Sequence, residues 1–292
     1  MSISVSRLVD IPNGNGLFSL SQDEFSEITA LVQRECGIHL TSAKFGLIVS
    51  RLQKRLVTLG INSFAEYISF LKSKSGEHEI EEMISRITTN VTSFNRESHH
   101  FDHFRQNILP GLIISACNGN SVRLWSAGCS DGREPYSLAF AIFDAFPEVR
   151  NYDFRILATD IDKYSLAKAR SGEYSTDMVA SLPSGYAASW FIEAQSNLKI
   201  KDEIKSIIQF NLLNLMSNWP MKKKFDVIFC RNVLIYFSAE DQVRLLDKFS
   251  QNLKSGCHLY LGHSERVDET KTAVLRQVGV TTYVNEPRGS QI

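Results

Sequence analysis

The sequence predicts an all-α module followed by an α/β domain whose mostly parallel sheet has helices on both faces and a small β insert. Three observations predict it. Apolar residues recur at helical spacing up to about residue 88, and then short apolar runs begin to alternate with amphipathic stretches. From Val122 to Ser137 an apolar run, a glycine turn and a helix start follow one another. Open α/β sheets bind nucleotide-like ligands at a strand's carboxyl end with this layout. A chain of 292 residues, 43% hydrophobic and 22% charged, is also long and apolar enough to bury a core in two ordinary domains.

Residues 1–20 hold Asn13-Gly14-Asn15-Gly16 and no periodicity, which predicts a loose leader. Residues 21–88 predict the helical domain. Ser21-x-x-Glu24 reads as a capping box opening a helix with Phe25, Ile28, Leu31 and Val32 on one face, stopped near Gly37. A second helix, from about Thr41 to Gly60, turns Phe45, Ile48, Leu52, Leu56 and Leu59 inward. Its other side carries Lys44, Arg51 and Arg55 in one stripe with Lys54 beside it, a pattern expected of a solvated face. Ser63-x-x-Glu66 predicts another capping box and a third helix ending near Gly76, and a fourth helix spans about Glu79 to Thr88. Residues 89–120 read as a linker and connecting helix.

Residues 121–292 predict the α/β domain. Its candidate strands are Val122–Gly128, Phe154–Ile161, Ile207–Leu213, Phe225–Cys230, His258–Gly262 and Thr281–Asn285, with helices at Pro135–Phe146, Lys163–Ser171 and Ala239–Leu253. The gap from Glu173 to Lys205 breaks the alternation. Trp190-Phe191-Ile192 and Leu198-Lys199-Ile200 flank Glu193–Asn197 there, so a hairpin within an insert at about 175–205 is expected.

Composition excludes several classes. The formal charge is zero, from 32 basic and 32 acidic residues, which removes the usual electrostatic case for a nucleic-acid binder. The N-terminus lacks a signal-peptide core and no apolar run reaches membrane-spanning length. Five scattered cysteines without a C-x-x-C predict neither a disulfide framework nor structural zinc, and a cytoplasmic protein is expected. His99, His100 and His103 lack accompanying carboxylate or cysteine ligands at metal-binding spacing, so packing or exposure is expected and no metal. Cys230 is expected to be a buried thiol.

The chemistry concentrates at strand ends. The loop Gly128-Cys129-Ser130-Asp131-Gly132 is neither G-x-G-x-x-G nor a P-loop, and Asp131 and Glu134 would repel a pyrophosphate. Those carboxylates suit a cationic ligand without phosphate, and S-adenosylmethionine is one. Asp160 ends the second strand beside this loop, where an acid can accept both ribose hydroxyls, whereas Asp162 suits a helix N-cap. Arg231, Asn232 and Tyr236 follow the fourth strand and overlie the binding crevice.

Several of these motifs also match one family in order and spacing: ITTNVTSFNRESHHF, RLWSAGCSDGREPYSLA, ATDIDKYSLAKARSGEY, FDVIFCRNVLIYF and LYLGHSE. Over nearly its whole length the chain resembles the CheR family, chemoreceptor glutamate methyltransferases of bacterial chemotaxis. The resemblance implies a Rossmann-like methyltransferase sheet with a β insert behind an all-α domain. It implies S-adenosylmethionine contacts from Asn90, Thr92, Arg96, Glu134, Asp160, Asn211, Leu212, Arg231 and Asn232, with Arg96 and Tyr236 paired at the reaction centre. Lys44, Arg51, Lys54 and Arg55 become candidates for contact with the methyl-accepting chemoreceptor's cytoplasmic helices. The implied reaction makes a glutamate methyl ester and S-adenosylhomocysteine, by a protein expected to be monomeric. Its rivals are a nucleic-acid amino-methyltransferase, a dinucleotide oxidoreductase and a non-catalytic adaptor. The chain departs from the family's usual pattern at Asp131 and Arg133 and at Asn95, where an aromatic residue is common.

Overall fold

The computed structural model describes residues 18–88, 91–180, 182–183, 185–268 and 274–286, so the leader up to residue 17 and Asn90 lie outside the described residues. The chain divides into two compact units, Met1–Thr89 and Asn90–Ile292.

In the first unit α1 (Gln22–Cys36) starts with both halves of the Ser21–Glu24 capping box and stops at Gly37 in the left-handed region, φ 73°. Helix α2 (Phe45–Leu59) buries Ile48, Leu52 and Leu56 completely, while Phe45 and Leu59 are half-buried. Helix α3 (Phe64–Leu71) is shorter than predicted, and its box forms by half. Ser63 Oγ accepts the Glu66 N–H at 3.1 Å, but Glu66 Oε2 takes the N–H of Asn62. Gly76 does not stop α3. It closes a separate 3-10 turn, and a Cβ there would sit 2.0 Å from the Phe70 carbonyl oxygen. Helix α4 (Glu77–Ile87) completes the unit.

The basic stripe of α2 is not one solvated face, because α4 packs along that side. Arg55 pairs with the buried Glu79 through Nε at 2.8 Å and Nη2 at 2.5 Å, and Tyr67 donates to the same carboxylate at 2.9 Å. Arg51 Nη1 donates to the carbonyls of Arg86, Ile87 and Thr88, closing the end of α4. Lys44 and Lys54 remain exposed.

The second unit opens with α5 (Ser98–His103), which runs through a π-helical turn at Phe104–Ile108 into α6 (Leu109–Cys117). Phe101, Phe104, Leu109 and Leu112 from this run are buried in the main core, so the stretch read as a linker belongs to the α/β unit. The chain continues as β1 (Val122–Ala127), α7 (Arg133–Ala145), β2 (Phe154–Asp160) and α8 (Lys163–Ser171). An insert follows: β3 (Glu173–Ser175), α9 (Thr176–Val179), α10 (Tyr186–Trp190), β4 (Phe191–Ala194), β5 (Asn197–Ile200) and α11 (Asp202–Lys205). Then come β6 (Ile208–Leu212), β7 (Phe225–Cys230), α12 (Ala239–Asn252), β8 (Leu253–Leu261), β9 (Leu275–Gly279) and β10 (Thr282–Asn285).

Seven strands form one sheet in the order β6-β2-β1-β7-β8-β10-β9, and the insert forms its own sheet, β3-β5-β4. From β6 to β8 the pairs are parallel, and β10 is antiparallel to both its neighbours. With β2 on one side of β1 and β7 on the other, the strand order reverses at β1, the switch point where such sheets bind ligands. The hairpin is there, with a tighter turn at Gln195–Ser196 than expected. Two strands are new. The three residues of β3 are too few to show a period, and β9 buries Leu275 while Arg276, Gln277 and Val278 face solvent. Also, β8 begins at Leu253, a residue that reads as helix, because an irregularity between Phe225 and Val227 lets β8 pair earlier.

Candidate active site

The glycine turn is built by backbone bonds to β2. The N–H groups of Gly128 and Cys129 both donate to the Thr159 carbonyl, at 2.8 and 2.9 Å. Gly128 has φ 80°, and a Cβ on it would lie 2.4 Å from Val233 Cγ2, so only glycine lets this turn pass the loop after β7. Ser130 follows at φ 51°, and its N–H donates to Asp160 Oδ2 at 2.7 Å. Asp160 Oδ1 accepts the Asp162 N–H at 2.9 Å, which fixes this carboxylate at the end of β2. Burial raises the Asp160 carboxyl to about 6 against the pull of these N–H groups. Ser130 Oγ beside it is buried with no partner among the described residues. Asp162 caps α8 by accepting the Tyr164 N–H. On β6, Asn211 pairs in register with Thr159 and Leu212 with Asp160. Both are exposed, Leu212 by 52%.

Glu134 sits in the first turn of α7, buried, and accepts from Ser126 Oγ at 2.7 Å. Burial raises its carboxyl, with Arg231 opposing. Arg231 connects the elements here. Nη1 is 3.3 Å from Glu134 Oε2, Nη2 is 3.3 Å from Glu97 Oε2, and Nη2 also donates to the Arg96 carbonyl. Arg96 is half-buried, and its Nη1 donates to the Val91 carbonyl at 2.7 Å. Thr92, four residues earlier in the same loop, is half-buried too. Asn95 occupies the left-handed region at φ 52°, a conformation asparagine accepts better than an aromatic residue does, and its N–H donates to Ser137 Oγ. Asn232, also left-handed at φ 59°, donates through Nδ2 to Glu97 Oε1 at 3.2 Å. Tyr236 is half-buried in the 3-10 turn Leu234–Tyr236 that follows.

Asp131 does not take the role expected of it. Its carboxylate pairs with Arg133 and Lys168, each at 2.9 Å, and its carbonyl accepts from Tyr174, so its charge is neutralised within the protein. Glu134 is left as the glycine turn's acid at the switch point.

Two residues here were not singled out by sequence reasoning. Glu265 is buried, and its carboxylate accepts the N–H groups of Asn232, Val233, Ile235 and Gly262, holding the loop that carries Arg231 to Tyr236. It is the last letter of the GHSE motif, which names the residue without showing what it grips. Glu97 follows Arg96, and a hydrogen bond from His263 Nδ1 at 2.9 Å reaches its Oε1. Burial would raise the Glu97 carboxyl, yet His263, Arg231 and Asn232 outweigh it and hold it at about 2.

The remaining candidates are structural. His100 Nε2 lies 2.9 Å from Thr281 Oγ1, and His103 Nδ1 lies 2.8 Å from the Tyr260 hydroxyl. Among the described residues no group of three or more His, Cys, Asp or Glu could hold a metal ion. Burial raises the Cys129 and Cys230 thiols far above their ordinary value, which keeps them protonated.

The site therefore offers a fixed carboxylate at the end of β2, a buried carboxylate in the first turn of α7 and a half-exposed arginine near the latter, with no nucleophile–base pair among the described residues. Such groups have the charge and hydrogen-bonding capacity to suit a cationic, ribose-bearing molecule. Comparison with known proteins agrees. Residues 90–284 match the family model described as CheR methyltransferase, SAM binding domain, and residues 23–88 match the CheR methyltransferase all-alpha domain. A probable chemotaxis protein methyltransferase of Rhizobium etli is 43% identical over 89% of this chain and 98% of its own length. The chemotaxis protein methyltransferase of Borreliella burgdorferi is 39% identical over 91% of this chain and 95% of its own. Chemotaxis protein methyltransferase 2 of Pseudomonas aeruginosa is 33% identical over 92% and 95%. With both family models matched and relatives of up to 43% identity aligned over most of their length, this chain belongs to the CheR methyltransferase family and is an S-adenosylmethionine-dependent enzyme.

Proposed function

We propose that this protein methylates glutamate side chains on the cytoplasmic helices of a methyl-accepting chemoreceptor, leaving a methyl ester. When bound, S-adenosylmethionine supplies a sulfonium-activated methyl group. The residues present fit that cofactor. Glu134 would offer a buried carboxylate to its ammonium, Asp160 and the unpartnered Ser130 hydroxyl would hydrogen-bond its ribose, and Asn211 and the exposed Leu212 would contact its adenine. Thr92, Arg231, Asn232 and, outside the described residues, Asn90 complete the proposed contacts.

The observation that carries this proposal is the Arg231 guanidinium, which reaches both Glu134 and the Arg96 carbonyl. It ties the cofactor-side acid to the segment that carries Arg96, proposed to contact the cofactor and to stand at the reaction centre. The acceptor needs no base, since a glutamate with a pKa of about 4.3 is ionised at neutral pH. The protein's contribution is alignment. Arg96 takes a carboxylate, and Tyr236 donates a hydrogen bond that orients the acceptor oxygen. On the helical unit, the exposed Lys44 and Lys54 are proposed to face the acidic receptor helices, with Arg51 and Arg55 stiffening α2 and α4 behind them.

The test uses a receptor cytoplasmic fragment and S-adenosylmethionine labelled in its methyl group. Label that is transferred and then released by base is expected, since carboxyl esters hydrolyse and methylated nitrogens do not. Tight cofactor binding without any transfer would overturn the assignment in favour of an adaptor.

A further inference from the structure

Glu97 has no part in the reaction as proposed above, yet it is wired into its centre. It holds left-handed backbone at φ 55°, a costly conformation for a residue with a side chain. Its Oε1 accepts from Asn232 Nδ2 and His263 Nδ1, and its Oε2 lies 3.3 Å from Arg231 Nη2 and 3.5 Å from His100 Nδ1. The other terminal nitrogen of Arg231 lies 3.3 Å from Glu134 Oε2. Two carboxylates thus divide one guanidinium whose side chain is only 2% exposed.

That division has an electrostatic consequence. Glu134 and Arg231 alone would form a closed neutral pair, and in a buried site such a pair has little charge left for a ligand's ammonium. A second carboxylate on the same arginine makes the cluster of the three side chains net negative.

We propose that Glu97 is a positioning residue for cofactor binding, which draws Arg231 partly away from Glu134 and so leaves the Glu134 carboxylate able to receive the cofactor's ammonium. The proposal rests on the cofactor site as assigned above. The charged and titratable groups facing Glu134 are Arg231, Glu97, Arg96 and the buried thiols of Cys129 and Cys230. Of these, Arg231 and Arg96 favour the ionised Glu134 and Glu97 opposes it.

The test compares the wild-type enzyme with Glu97→Gln, which keeps the shape and removes the charge. Titration calorimetry with S-adenosylhomocysteine is run over a range of pH, beside kinetics with the receptor fragment. The Kd, and the KM for S-adenosylmethionine, rise about tenfold while kcat stays within about threefold, the pattern of lost uniform binding. The acid limb of cofactor affinity also moves to lower pH, because Glu134 then faces Arg231 without a competing carboxylate. Unchanged Kd in Glu97→Gln overturns the proposal. So does a fall in kcat with the acid limb in place, which is what a merely structural role gives. Should Glu97→Gln not fold, Glu97→Asp withdraws the carboxylate from Arg231 by one methylene and must show the same changes, smaller. A wild-type enzyme that bound neither nucleoside would instead sink the cofactor site itself.

Discussion

At the scale of single residues, two side chains near the switch point carry separable tasks. Tyr236 would orient the acceptor without touching the cofactor, so Tyr236→Phe lowers kcat about tenfold, the worth of one hydrogen bond made in the transition state. Calorimetry with S-adenosylhomocysteine should give the same Kd for both proteins, and an equal kcat would remove this role. Asp160 is different, because each of its oxygens already accepts one backbone N–H. Replacing the carboxylate by an amide would turn an NH2 toward one of those donors, so Asp160→Asn weakens S-adenosylhomocysteine binding at least tenfold, about 1.4 kcal/mol or more. Asp131 shows where residue-level reasoning stops. Its sequence position in the glycine turn is that of a ligand-facing acid, and only the folded chain, with Arg133 turned onto it and Lys168 approaching from α8, reveals that its charge is already paired.

At the scale of elements, the packing of α4 against α2 divides the basic stripe into two kinds of residue. Arg55→Ala leaves Glu79 buried without its cation, and breaking a pair of this kind costs about 3–5 kcal/mol. Chemical denaturation should show that loss. Lys54→Glu, at an exposed position, should leave the denaturation midpoint unchanged within about 0.5 kcal/mol and raise KM for the receptor fragment. Equal KM values would show that α2 does not meet the acceptor. The loop after β7 is another case. Its polar residues are visible in the sequence, but what shapes it is Glu265, some thirty positions on, through four backbone N–H groups. A carboxylate that far along the chain leaves no local pattern to read.

At the scale of the whole molecule, burial of charged and titratable groups couples the α/β unit to pH. Burial, with Arg231 and His99 nearby, lowers His100 from 6.5 to about 4. The unfolded chain therefore binds a proton that the folded one refuses, and stability contributed by neutral His100 is lost as pH falls from about 6.5 toward 4, on the order of 3 kcal/mol. Glu97 acts lower, since its carboxyl is held at about 2 and its contribution is lost only as pH drops from the ordinary carboxylate range toward that value. Asp160 works in the opposite sense, because its raised carboxyl gains stability as pH falls through about 6. The test is therefore a difference between proteins: from neutral pH to about pH 4, the slope of melting temperature against pH should be less positive in His100→Gln than in the wild type. An identical slope in the variant would place the sensitivity elsewhere.

The sequence by itself determined the order of helices and parallel strands, the glycine turn, and the acids and arginine at strand ends. These follow from local periodicity, from the backbone freedom of glycine and from the rule that parallel strands present their ends to ligands. Tertiary structure alone decided which charges are spent. Arg55 meets Glu79, Asp131 meets Lys168 and Glu97 shares Arg231, each pairing made across a long stretch of chain. The physical reason is that a side chain's charge depends on what is buried against it, and burial is fixed by packing between elements that the sequence order does not place side by side.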